Sequence, residues 1–93
     1  MYQAQERRLL TAEAINSYSC SLHDEEKSVA TIQKYIHDIC MAAEYFDGME
    51  LTKAVLIEWK DTLVEKYTAA TVNTILAALN GFFKFMGWND LAM

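Results

Sequence analysis

The chain contains no proline and only three glycines in its 93 residues. Proline ends or kinks a helix and glycine weakens one, so nothing here interrupts long helices. The same scarcity leaves few turn residues for a strand-and-hairpin architecture. Cysteine is scarce as well. Cys20 and Cys40 form no closely spaced pair, which fits a reduced, intracellular protein better than a disulfide scaffold. No long apolar run follows "QERR" at Gln5–Arg8, so neither a signal peptide nor a membrane span is expected, and the expected location is the cytoplasm. An excess of positive charge is also missing. The formal net charge is −5, with nine acids and four bases in residues 1–50 and four of each in residues 51–93. Taken alone, that balance argues against a general nucleic-acid binder.

The chain does have apolar periodicity. Hydrophobic residues make up 53% of it and charged residues 23%, which is globular rather than disordered composition, at a length that suits one domain. Four helical segments follow, each opened by a hydroxyl: Thr11, Ser28, Thr52 and Thr68. Such residues favour the N-cap because their oxygen accepts from an otherwise unpaired backbone N–H. The predicted helices end near residues 23, 46 and 66 and at Gly87, which suits a left-handed helix terminus. "DGME" at Asp47–Glu50 reads as the turn between the second and third. In the fourth, Val72, Ile75, Leu76, Leu79, Phe82, Phe83 and Met86 recur at helical spacing and fall within an arc of roughly 120° at about 100° per residue. Ile32, Tyr35, Ile36, Ile39, Ala42, Ala43 and Phe46 repeat that pattern in the second helix at an offset of forty residues. Ile15, Tyr18 and Leu22 give the first helix its stripe, and Leu56, Trp59 and Leu63 the third. Helices this short need one another for stability, so the stripes must pack together in a compact four-helix domain.

The helix starts lack acid. A capping box would place Glu or Gln three residues after the cap, and an acid in the first turn gains from the helix dipole. The first helix has Glu13. The second and fourth have Thr31 and Thr71 instead, and the third begins with Lys53. A positive helix end without its own acid is open to an outside anion, and free N–H groups with a hydroxyl can hold a phosphate. Threonine is equally an ordinary cap that needs no ligand. The outer face of the fourth helix carries Asn73, Thr74, Asn80 and Lys84 with the small Ala77 and Gly81. Such a face could approach a groove closely, and asparagine can read adenine there; it could also be a plain solvated face.

Other constellations carry less. Cys20-x-x-His23 and His37-x-x-Cys40 are four potential zinc ligands, but the spacing misses the usual finger pattern. Both pairs fall off their apolar stripes, so helices packed through those stripes would hold them apart. Exposed histidines, partly buried thiols and no metal or other cofactor are expected. Tyr18, Tyr35, Tyr45 and Tyr67 have no local cluster to activate them as nucleophiles; packing suits Tyr18 and Tyr35 better. Phe85 and Trp88 lie off the main stripe, placed to pack on the first helix or on another domain.

"KSVATIQKYIHDI", "LTKAVLIEWKDTL" and "YTAATVNTILAALNGFFKFM" together resemble the N-terminal SAM-like, core-binding domain of tyrosine recombinases of the phage-integrase type. The resemblance rests on Ser28, Thr31, Tyr35 and Asp38, then Leu51, Thr52, Leu56, Trp59 and Leu63, then Thr71, Asn73, Leu76, Leu79, Phe82 and Phe83. It covers about residues 10–88 and implies an all-α, compact four-helix SAM-like orthogonal bundle. By this resemblance, residues 1–10 form an N-terminal arm, 11–88 the DNA-binding domain, and 89–93 the start of a linker to a separate C-terminal catalytic domain. The partners implied are double-stranded DNA, that catalytic domain and other recombinase protomers, with no membrane. The contacts implied are Ser28, Thr31 and Lys34 on the second helix and Thr68, Thr71, Asn73 and Thr74 on the fourth. Lys27, Lys66 and Lys84 are added on charge alone. Two features depart from the family pattern: Asn80 stands where an arginine is common, and Asp24, Glu25 and Glu26 precede the second helix. Weak, strongly salt-dependent binding is the consequence. The family's catalytic set is missing, so the expected role is to place an enzyme on DNA, not to cleave it. The alternative is a helical protein-interaction module without nucleic-acid binding.

Overall fold

The computed structural model describes residues 8–92; the first seven residues of the expected arm lie outside them. The four helices are α1 (Ala12–Asp24), α2 (Val29–Phe46), α3 (Lys53–Lys66) and α4 (Ala69–Met86), followed by a 3-10 turn at Asn89–Leu91. All four expected caps form. The side chains of Thr11, Ser28, Thr52 and Thr68 accept from the backbone N–H three residues on, each satisfying one donor that the helix itself leaves unpaired. Asp47 at φ 46° and Gly48 at φ 83° turn the chain out of α2.

The core forms around α4, which packs on α1, α2, α3 and the 3-10 turn, most extensively on α2. Val72, Ile75, Leu76, Ala78, Leu79, Phe82 and Phe83 are buried. Including Ala78 widens the expected stripe to an arc on the order of 160° at 100° per residue, because this helix has neighbours on several sides. Met86, expected on the stripe, is only partly buried. Tyr18 of α1 meets Phe82 edge to face at 5.7 Å between ring centroids. Phe46 of α2 and Trp59 of α3 lie 5.6 Å apart.

Gly87, at φ 78°, reverses the chain, and the Trp88 N–H donates to the Phe83 carbonyl at 2.8 Å. This closure of the last helical turn drops the Trp88 ring onto Phe82 and Phe83. Trp88 is therefore core, and of its two expected destinations neither applies; Phe85 does lean on α1, against Tyr18. Leu91 is buried too, so side chains of the segment expected to begin a linker still belong to the packed unit. Residues 8–10 are docked: Leu51 N–H donates to the Arg8 carbonyl at 2.8 Å, Arg8 pairs with Asp90, and Leu10 packs on the core.

Among the described residues, one charged side chain lies inside. Asp38 is fully buried, its Oδ1 held at 3.0 Å by Lys34 Nζ one turn earlier. Its Oδ2 is buried with no hydrogen-bond partner among the described residues. Apolar spacing alone does not expect a carboxylate there.

Three outcomes follow from this packing. Lys34→Met removes the one cation on a buried carboxylate; because Lys34 is itself half exposed, unfolding free energy should fall by about 1–3 kcal/mol in urea melts. Gly81→Ala would place a Cβ 2.5 Å from Tyr18 Oη. It should cost about 1–2 kcal/mol despite the better helix propensity of alanine, and the same change on a Tyr18→Phe background, with the hydroxyl gone, should be neutral or stabilising. The Arg8 hydrogen bond holds the Asp90 carboxyl below the ordinary aspartate value. Its contribution to stability is present above the unfolded-state pKa, near 3.9, and is lost as pH falls through the lower folded value. Carbonyl chemical shifts against pH should show Asp90 returning to the ordinary range in Arg8→Ala.

Candidate nucleic-acid interface

The α2 and α4 starts are built alike. Ser28 Oγ accepts from Thr31 N–H at 3.1 Å and donates to Thr31 Oγ1 at 2.9 Å. Thr68 Oγ1 accepts from Thr71 N–H at 3.3 Å and donates to Thr71 Oγ1 at 3.1 Å. In both, the first hydroxyl gives its proton to the second, which leaves the Thr31 and Thr71 protons available to an outside acceptor. Residues 28–30 and 68–70 are exposed, and neither first turn contains an acid. The α3 start differs. Thr52 caps Val55, but Lys53 Nζ binds the Ala92 carbonyl, and Arg8, Asp90 and Leu91 stand around it. That end is exposed as well, but its lysine is engaged by the Ala92 carbonyl, and residues 8, 90 and 91 stand beside it.

The expected contact residues do not form one cluster. Thr74 is exposed, but its hydroxyl donates to the Ala70 carbonyl at 3.0 Å, which commits its only proton. Asn73 is exposed and borders a small hollow with Lys60, Val64 and Tyr67 of α3 and its C-terminus. Lys34 is engaged by Asp38. Lys66 lies 5.5 Å from the Tyr67 ring centroid, in a separate hollow with Met41, Glu44 and Tyr45.

Lys27 and Lys84, far apart in sequence, do come together. They line one hollow of about 430 Å³ between α1, α2 and α4, along with Tyr18, Tyr35 and Glu25. Of the two small residues on the outer face of α4, Gly81 has an internal neighbour. Gly81 receives the Tyr18 hydroxyl, so the close approach there is internal, while Ala77 stays exposed. Burial, then the neighbouring Tyr35 and Glu25, push the Tyr18 hydroxyl above its ordinary pKa, which keeps it a hydrogen-bond donor. Neither tyrosine stood out from its spacing except as packing; an i, i+4 pair of small residues opposite a tyrosine stripe was the only available signal.

The thiols are a correction. Cys20 and Cys40 are exposed, not partly buried, because both lie on the solvent side of their helices. His23 and His37 also sit nearer than expected, lining one shallow apolar hollow with Ile32 and Ile36. No group of three or more His, Cys, Asp or Glu side chains among the described residues could hold a metal ion. Among them, too, no helix is long and apolar enough to cross a membrane.

Neither a curated protein nor a solved structure matches the chain. A family model does: phage integrase, N-terminal SAM-like domain, over residues 15–90. That span runs from the first buried residue of α1 through the Trp88 closure, taking in all the helix pairs described above. With four helices in a compact all-α arrangement and a family match over most of its length, the chain belongs to the phage integrase N-terminal SAM-like domain family.

Proposed function

We propose that this domain is the DNA-binding, core-binding part of a phage-type integrase, a tyrosine recombinase. It contacts backbone phosphates and the major groove of a recombination site and positions a separate catalytic domain for integration or recombination. It performs no strand cleavage itself, and its setting is the cytoplasm. Family membership makes DNA and further recombinase domains the natural partners.

The observation that carries this reading is the pair of exposed, acid-free starts at α2 and α4, each with a hydroxyl pair ending in a free donor. Backbone N–H groups, the helix dipole and that donor all favour a phosphate oxygen. The acids at Asp24, Glu25 and Glu26 lie immediately before α2, so affinity should be modest and fall steeply with salt. Ser28, Thr31, Thr68 and Thr71 are the principal contacts in this reading. In the same reading Asn73 contacts a groove, and Lys27, Lys84 and Lys66 supply charge to the backbone. Lys34 and Thr74 contribute less, since each already has an internal partner.

The second reading, a protein-interaction module, draws on Ile57 and Val64, which are 48% and 58% exposed one heptad apart on α3. An apolar pair of that kind suits a protein surface better than a phosphate backbone.

Titration with duplex DNA at low salt, followed by amide shifts, separates the two. The DNA reading expects changes at Thr31 and Thr71–Thr74 that fade as salt rises; silence at millimolar DNA would support the interaction module instead. Thr71→Glu sharpens the test. Glutamate at that position completes a capping box with Thr68 and should add about 0.3–1 kcal/mol of stability. It should nonetheless weaken DNA binding roughly tenfold, by placing a carboxylate where the phosphate docks. A more stable variant that binds as tightly as the parent would rule out the α4 contact.

A further inference from the structure

We propose that the hollow between α1, α2 and α4 is a seat for one phosphate group. Lys27 and Lys84 supply the charge, and the Tyr18 and Tyr35 hydroxyls supply hydrogen bonds. The choice of a DNA backbone as the source of that phosphate rests on the DNA-binding reading; the seat itself rests on its own residues.

Tyr18 is the telling member. Its side chain is only 5% exposed, and its hydroxyl, which makes no hydrogen bond among the described residues, keeps its access to solvent at the hollow. A phenol whose ring is buried and whose hydroxyl faces solvent holds a donor ready at a fixed place. Here Gly81 lets the hydroxyl lie against α4 at the wall of the hollow. Tyr35, half-buried on α2, is likewise without a partner. Lys27 and Lys84 are exposed and make no ion pair among the described residues. All four groups therefore offer donors, and the lysines can only donate. Convergent donors with two positive charges suit an anion with several acceptor oxygens, which describes a phosphate group. The hollow is net positive on a domain that is net negative. Its one carboxylate, Glu25, competes with the ligand for the two ammonium groups and so limits affinity. Sequence spacing could not assemble this set, since its members come from three helices and the segment between α1 and α2.

The test uses the 93-residue domain and two probes: a short mixed-sequence duplex and sodium phosphate, each at constant ionic strength, followed by amide shifts. The seat predicts shifts at Lys27, Tyr35, Gly81 and Lys84 with the duplex, and weaker shifts at the same residues with phosphate. Tyr18→Phe keeps the ring contacts and removes only the hydroxyl. It and Lys84→Gln should each weaken duplex binding by about 3- to 10-fold. Glu25→Gln should strengthen it, and by more than Glu58→Gln, an equal charge change on α3 outside the hollow. Circular dichroism melts confirm that each variant is folded. Shifts confined to Thr31 and Thr71, with the hollow silent, overturn the seat and leave the DNA reading standing. A response to phosphate but none to duplex upholds the seat and removes DNA as its ligand. Silence with both probes, or unaltered duplex binding by folded Tyr18→Phe and Lys84→Gln, overturns the seat.

Discussion

The α4 helix buries seven side chains over an arc too wide for one partner to cover. Apolar area left in water would weaken the domain by roughly 25 cal/mol per Å², so α1, α2, α3 and the C-terminal turn all pack against this helix. The other elements are placed by that requirement. The Gly87 reversal is its last step, since it returns Trp88 onto the Phe82–Phe83 pair, both fully buried. A small domain with no disulfide has little stability to lose, which makes the completeness of this central burial the condition for everything on the surface.

Polar groups fit into the bundle only where local geometry satisfies them. The helix starts are met by four hydroxyl caps, which hold α2 and α4 ready without using acid. Beside the α3 start, charged side chains are taken up internally, with Lys53 on the Ala92 carbonyl and Arg8 on Asp90. Asp38 is the exception. A carboxylate with one oxygen paired to Lys34 and the other unmet costs stability unless it fixes the arrangement around it. The same pairing engages Lys34, the single lysine or arginine on α2, and shifts the accessible positive charge toward Lys27 and Lys84.

Much of the fold was legible beforehand because it is set by local rules. A hydroxyl before an apolar-periodic run marks a start wherever it occurs, and a glycine after the last periodic residue marks an end, so the helix limits at Asp24, Phe46, Lys66 and Met86 fall close to where spacing put them. The helix-tip part of the candidate site was legible for the same reason, since Ser28 and Thr31, like Thr68 and Thr71, are three residues apart on one turn. What spacing missed depends on neighbours from other helices. Ala78 is buried because α4 is surrounded, Trp88 because Gly87 turns it inward, and the thiols are exposed because no helix covers that side.

By itself the sequence determined four helices, their caps and stripes, and the absence of acid from two helix starts, since each depends on residues within a few positions of one another. Tertiary structure alone decided that Gly81 would receive the Tyr18 hydroxyl, that Asp38 would be enclosed with Lys34, and that Lys27 and Lys84 would face one hollow. Those outcomes turn on which helix faces meet and at what distance. A one-dimensional pattern carries the periodicity of each face and nothing about what will stand opposite it.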